Sequence, residues 1–418
     1  MRNRLAALVV LIPILFAAGC ISELLDPNMP LELPDIPGDP LDSTAQLRLQ
    51  GVYHVIHGSD AFGDTLVALV IRGHLCFFAG DQVIFSECAT AISGDTGRFK
   101  GYYRFVRSEI LGAVSLSALP DEGGKTLHYD AAEGPITLKG TYNDPGLQLD
   151  RSLELVRSRA IAPPKRPFYI LGNCAGGRNS ERLGRSENSI EMCRFGEYLG
   201  CTGIEIDLHV TSDDTAILMH DDTFSPRTVQ STYILGNVWN FTYQQIRDNA
   251  RLIHGEVIPT LREFLTFVVD STKLEFVWLD PKVSSGIERI LQTQQDALNL
   301  AKSKGRKLRI LYGLPSQEII DAYRKAPLAN KTPVLCELDP SIVRSLPSCE
   351  AWGPRWTADL QTAAVTQLHA EGYEVYPWTI DDPTYLKKFL DQRESPYDGI
   401  LSNYPSMLTG QYHLRTDK

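Results

Sequence analysis

After Pro163-Pro164-Lys165-Arg166-Pro167, short apolar runs alternate with helical patterns for about 250 residues, and this alternation constrains the fold more than any other feature. The runs fall at 168–173, 203–210, 274–280, 308–314, 333–339, 352–356, 373–380 and 398–403. Helical patterns lie between them, beginning at Ser186, around 259–270 and over 285–303. Ile287, Ile290, Leu291 and Leu298 make one apolar stripe. Asp382 before Pro383 reads as an N-cap followed by proline in the first turn, with Leu386, Phe389 and Leu390 facing a core. Eight strand–helix units in this length predict a parallel (β/α)8 TIM barrel over residues 165–412. An open doubly wound sheet is the less economical choice, because no glycine-rich nucleotide fingerprint is present.

Residues 44–160 carry a different period. Leu47, Leu49, Gly51, Tyr53 and Val55 alternate with more polar positions, and so do Ile136, Leu138, Gly140 and Tyr142. Further short runs separated by turns such as Gly94-Asp95 predict a small antiparallel all-β sandwich or barrel. It shows no cluster of ligands or nucleophiles, so an accessory or binding module is expected.

The N-terminus reads as targeting. Two arginines precede an apolar run too short to span a bilayer, and Phe16-Ala17-Ala18-Gly19-Cys20 resembles a bacterial lipobox. Residues 1–19 are thus expected to be a lipoprotein signal peptide and Cys20 the lipidation site. Ile21 in place of aspartate after the cysteine resembles outer-membrane sorting, with the body in the periplasm or at the cell surface. Residues 20–43, rich in proline and acidic residues, read as a disordered tether.

Net charge of −10 without a basic stripe argues against nucleic acid as a partner. With Cys20 lipidated, an odd number of cysteines remains, and Cys76 and Cys88 on neighbouring strands are the expected disulfide pair. The absence of any Cys-x-x-Cys pair argues against zinc. Protein partners leave no signal in the sequence.

The chemistry concentrates in 203–228. On a strand, Glu205, Asp207 and His209 share one face while Ile206 and Leu208 take the other. Two carboxylates so placed repel each other unless a cation lies between them, and all-oxygen ligation predicts calcium or magnesium. His220, after a second short strand, is a candidate proton donor.

The order Glu187-Asn188-Ser189, Glu205-x-Asp207, Thr211-x-Asp213, His220-Asp221 and Arg227-Thr228 resembles the motif series of the glycerophosphodiester phosphodiesterase family. The resemblance implies a metal-dependent phosphoric diester hydrolase, with Asp280 as third carboxylate ligand beside Glu205 and Asp207. It also implies Lys282 as a phosphate-facing cation, and Arg178, Glu187, Asn188 and Trp378 at the substrate, a small-molecule glycerophosphodiester or related polyol phosphodiester. The family opens with His-Arg-Gly. Here that pair falls on Asn173-Cys174 or Cys174-Ala175, so a second acid/base group is missing. His209 and Cys174 are the candidates to replace it, and Arg178, Arg182 or Arg185 the candidates for the missing phosphate contact. A catalytically impaired barrel that binds a headgroup without cleaving it is the alternative function.

Overall fold

A computed structural model describes residues 32–80, 84–105, 110–129, 134–143, 150–163, 166–230, 232–392 and 396–415. The expected signal peptide, Cys20 and the tether up to residue 31 lie outside the described residues. Among the described residues no helix is long and apolar enough to cross a membrane.

The first unit contains β1 (Gly51–His57), β2 (Thr65–Ile71), β3 (His74–Ala79), β4 (Ile84–Ser93), β5 (Thr96–Phe105), β6 (Ile110–Ala118), β7 (Thr137–Tyr142) and β8 (Arg151–Arg159). Each strand pairs antiparallel with the next, and β8 returns to β1, so the sheet closes into an up-and-down barrel. The β2–β3 hairpin turns on Arg72 and Gly73, both at positive φ (52° and 85°), as a two-residue turn following strand twist requires. Tyr53, Phe62, Phe77, Phe99, Tyr103 and Tyr142 belong to the core that fills the interior.

The disulfide expectation is corrected by the register. Cys76 lies opposite Glu87 and Cys88 opposite Leu75, an offset of one residue. Successive side chains on a strand alternate faces, so Cys88 points into the barrel core while Cys76 joins the cluster outside it. Both are free. The expected disorder of the tether is likewise corrected at its C-terminal end. Asp39 exchanges two backbone hydrogen bonds of 2.8 Å with Ile92, Leu41 is buried, and Asp42 caps the helix Ser43–Leu49.

The second unit is the TIM-barrel-like part. Its strands are β9 (Tyr169–Gly172), β10 (Gly203–Val210), β12 (Phe276–Pro281), β13 (Arg309–Leu314), β14 (Val334–Cys336), β15 (Cys349–Trp352), β16 (Glu374–Val375) and β17 (Gly399–Ser402); β11 (Ala216–Leu218) makes a hairpin with β10. The parallel order runs β16, β15, β14, β13, β12, β10, β9, β17. Backbone bonds from Asp398 to Val375 (3.0 Å), Leu401 to Pro377 (3.1 Å) and Ile380 to Leu401 (2.9 Å) nearly close the ring between β16 and β17. Leu171, Phe276, Trp278, Leu311, Leu335 and Tyr376 fill its interior.

Two boundaries differ from the sequence expectation. The seventh strand stops at Val375 because Pro377 has no N–H to donate to a ladder. The first helix begins at Ile190 instead of Ser186: Asn188 takes a left-handed conformation (φ 58°), and Ser189 then caps the helix by accepting from Met192 N–H.

The two units pack through β2–β5 against the C-terminal helix Pro405–Arg415 and the helix Ile190–Tyr198. Arg72 pairs with Glu197 at 2.7 Å, Phe85 meets Phe195 edge-on at 5.7 Å, and His74 stacks on Tyr198 at 5.1 Å. Buried Arg104 donates to the carbonyls of Arg182 and, at 2.8 Å, Glu181. The first unit therefore grips the segment joining β9 to its helix, and that segment carries part of the site described next.

Candidate active site

Glu205 and Asp207 stand two residues apart on one face of β10, and Asp280 lies in register with Asp207 on β12. Asp207 divides its carboxylate between two sets of partners. Oδ1 pairs with Lys282 Nζ at 2.6 Å, and the same ammonium reaches Asp280 Oδ2 at 2.5 Å. Oδ2 accepts from Asn188 Nδ2 at 2.7 Å and from Cys174 Sγ at 3.2 Å. Asn188 Oδ1 in turn accepts from the Asp207 N–H at 3.0 Å. Glu205 Oε2 accepts from the Cys174 N–H at 2.9 Å, the one hydrogen bond to its carboxylate among the described residues.

The loop after β9 makes these contacts by leaving ordinary backbone space. Cys174 (φ 50°) and Ala175 (φ 71°) are both left-handed, which non-glycine residues adopt at a cost of order 1–2 kcal/mol each. The turn aims Cys174 at the carboxylates. Asn173 Nδ2 donates to Asn403 Oδ1 at 2.9 Å and to Cys174 Sγ at 3.3 Å, reaching neither carboxylate, and Asn403 is held by Asp381 at 2.6 Å. Of the two sequence registers, Cys174-Ala175 is the one that faces the carboxylates.

Burial, with Asp207 and Asp280 as neighbours, pushes the Glu205 carboxyl well above the usual range. Burial acts on Asp207 in the same direction and is the largest influence, but Lys282, His220 and Asn188 together outweigh it and hold that group low. The Lys282 ammonium is raised: burial disfavours its charge, and Asp207, Asp280 and Glu205 overcome that. Burial and then Asp207 and Glu205 push the Cys174 thiol up. Three carboxylates around one ammonium leave negative charge uncompensated, and a divalent cation fits that deficit. Ligand atoms of Cys174, Glu205 and Asp207 lie within 4.8 Å of one another, a group able to hold a metal ion. Asp280 is not in that group; it joins Asp207 through Lys282.

The other expected site residues are distributed as follows. His220 is half-exposed with Nδ1 on Asp221 Oδ1 at 2.9 Å, and Asp221 is fixed by Arg227 at 2.6 and 2.8 Å. The Arg227 bond holds the Asp221 carboxyl down at about 2. Arg227 also pairs with buried Glu187 at 2.8 Å, while Glu187 accepts from Asn179 N–H at 2.9 Å. Arg178 is engaged by Glu181 at 2.7 Å. Asn188 commits both ends of its amide to Asp207, and so positions that carboxylate. His209 is fully buried, with no hydrogen bond to either ring nitrogen among the described residues; Asp222 is 3.6 Å away and Trp239 lies beside the ring. Burial lowers its pKa, favouring the neutral ring.

Trp378 donates to the Gly353 carbonyl at 2.8 Å, with the Arg355 guanidinium 4.7 Å from its ring. Together with Asp280, Lys282 and Glu337 they line a cavity of about 560 Å³ at the strand C-termini. Glu337 and Arg355 were not expected from sequence. Their signal was positional, since each follows a strand at the barrel face where βα loops build sites. Burial and then Asp280 push the Glu337 carboxyl up. A roomier cavity of about 630 Å³ lies between the two units, near His74, Glu87 and Arg185, and contains none of the clustered carboxylates.

Fold and site together define a TIM-type barrel whose acidic centre lies at the C-terminal ends of its strands. The chain belongs to the glycerophosphoryl diester phosphodiesterase family, whose model matches residues 175–407. That membership places it among phosphoric diester hydrolases. It is 27% identical over 235 residues to the probable glycerophosphodiester phosphodiesterase 2 of Mycobacterium tuberculosis, covering 53% of this chain and 83% of that protein. It is 40% identical over 85 residues to human glycerophosphodiester phosphodiesterase 1, covering 18% of this chain and 24% of that protein. Among solved structures, a glycerophosphodiester phosphodiesterase from Parabacteroides distasonis aligns over 60% of this chain and 99% of that one, at 20% identity and a TM-score of 0.47.

Proposed function

We propose that the protein hydrolyses glycerophosphodiesters, or a related polyol phosphodiester, with a divalent cation held by Glu205 and Asp207 and with Asp280 alongside. The observation that carries this reading is the convergence of these carboxylates and Lys282 beside one cavity, in a chain of this family. Cleavage requires a nucleophile, a proton for the departing alkoxide and compensation of charge on the phosphoryl oxygens. A cation, when bound, supplies positive charge to those oxygens. Lys282 adds a second positive charge. His220, its Nδ1 oriented by Asp221, offers Nε2 to the leaving oxygen, while Arg227 and Glu187 keep Asp221 in place. Trp378 and Arg355 form the wall against which the glycerol or alcohol end lies. Glu205 and Asp207 alone, as an all-oxygen set, suit calcium or magnesium.

A barrel that binds without turnover is the weaker reading. Cys174 and Ala175 stand where the family has His-Arg, but His220, Lys282 and the carboxylates remain. Phosphorus NMR of glycerophosphocholine incubated with protein and a panel of divalent cations decides between them. The expected result is cation-dependent conversion to a phosphomonoester, abolished by chelator and lowered about 10²–10⁴-fold by His220→Ala. Binding of glycerol phosphate without any turnover sinks the hydrolase reading.

The proposal extends to location. Lipid on Cys20 would anchor the enzyme to the outer membrane, with its body in the periplasm or at the cell surface, near phospholipid-derived substrates.

A further inference from the structure

We propose that Cys174 is itself a metal ligand, making this a Cys–Glu–Asp centre suited to a zinc-class cation. This rests on the reading of the carboxylate cluster as the reaction centre. It departs from the all-oxygen calcium or magnesium set, and from the exclusion of zinc by the lack of Cys-x-x-Cys.

Four observations carry it. First, Cys174 Sγ lies 3.2 Å from Asp207 Oδ2, and its ligand atom groups with those of Glu205 and Asp207 within 4.8 Å. A tetrahedral zinc ion with bonds of about 2.3 Å to sulfur and 2.0 Å to oxygen separates those atoms by about 3.5 Å. Small side-chain adjustments therefore suffice. Second, the third carboxylate is otherwise occupied: Asp280 is bound to Lys282 at 2.5 Å, which also takes Asp207 Oδ1. The oxygen of Asp207 that faces Cys174 is Oδ2, which also accepts from Asn188 Nδ2 at 2.7 Å and has a second lone pair to offer a cation. Third, Glu205 is only 4% exposed, and among the described residues the one hydrogen bond to its carboxylate comes from the Cys174 N–H at 2.9 Å. A carboxylate with so few donors beside a thiol suits a cation between them. Fourth, Cys174 has no disulfide and is only 1% exposed, and the left-handed backbone at Cys174 and Ala175 is what turns it inward.

Softness decides the class of ion. Calcium and magnesium take oxygen and leave sulfur, whereas thiolate ligation selects zinc and its softer neighbours. The binding step balances simply. The S–H bond breaks, its proton passes to solvent, and a sulfur–metal bond forms without any redox change.

The test is X-ray absorption of the full chain loaded with one equivalent of zinc, paired with zinc affinity by competition. Wild type should show a sulfur neighbour at about 2.3 Å. Cys174→Ser, shown folded by circular dichroism, should lose that neighbour and bind zinc at least ~10-fold more weakly. Cys174→Asp should shift preference toward magnesium or calcium. A wild-type shell of nitrogen and oxygen alone, or equal zinc affinity in Cys174→Ser, overturns the proposal. The phosphorus NMR assay on the same samples separates the two claims. Hydrolysis without a sulfur neighbour rejects the thiolate ligand and keeps the enzyme; a sulfur neighbour without hydrolysis by any cation does the reverse.

Discussion

Asn188 is the residue whose removal most directly tests how the loop after β9 supports the carboxylates. Its amide donates to Asp207 Oδ2 at 2.7 Å and accepts from the Asp207 N–H at 3.0 Å, at a site only 1% exposed. A hydrogen bond to a charged acceptor contributes about 1.5–3 kcal/mol, and a buried N–H left unsatisfied costs about 1–3 kcal/mol. Asn188 also sits at φ 58°, which asparagine tolerates and alanine adopts at a cost of about 1 kcal/mol. Asn188→Ala should therefore destabilise the barrel by roughly 3.5–7 kcal/mol. Asn188→Gly loses the same bonds without the steric cost, and should be the less destabilised by about 1 kcal/mol. Urea unfolding in chelator, followed by tryptophan fluorescence, reads this cleanly because all 5 tryptophans lie between Trp239 and Trp378 in the second unit. A loss below about 1 kcal/mol in Asn188→Ala, or a glycine variant no better than alanine, would refute the assignment of Asn188 as the clamp on Asp207.

Burial brings the His413 pKa down from 6.5 to about 4, so its neutral form is the one the fold accommodates. Its contribution is complete above pH 6.5 and is lost as pH falls toward about 4, a change of roughly 3 kcal/mol that His413→Gln should remove; parallel pH–stability curves would count against it. Cys76 and Cys88 should remain free thiols in oxidised, unfolded protein alkylated after native-state oxidation, and a Cys76–Cys88 cross-linked peptide would contradict the strand register. Lipid on Cys20 predicts that wild type partitions with membranes and that Cys20→Ser stays unprocessed. Normal soluble release of both ends the anchor proposal.

Much of the second unit was legible because period and turn chemistry agree there. The apolar runs at 168–173, 203–210 and 274–280 became β9, β10 and β12, and the Asp382-Pro383 helix start formed as read. Glu205 and Asp207 could be paired from strand alternation alone. His209 obeys the same alternation, but β10 continues past its parallel partner into the hairpin with β11. That extension carries the imidazole to Asp222 and Trp239, outside the ligand group. Alternation likewise left the partners of the first barrel unread, since Val67, Cys76, Phe78, Phe85 and Tyr102 face outward yet pack in the same core as the second unit. Lys282 bridging Asp207 and Asp280, Asn188 serving Asp207, and Glu337 at the cavity are consequences of register between strands far apart in sequence. No local pattern encodes them.

The most direct measurement is turnover of glycerophosphocholine as a function of cation occupancy, both determined on the same full-length sample. Activity should rise in proportion to one bound divalent cation per chain, and both should disappear together in Glu205→Gln/Asp207→Asn. Turnover that persists in the cation-free protein, or a fully occupied site with no turnover of any glycerophosphodiester, would contradict the account.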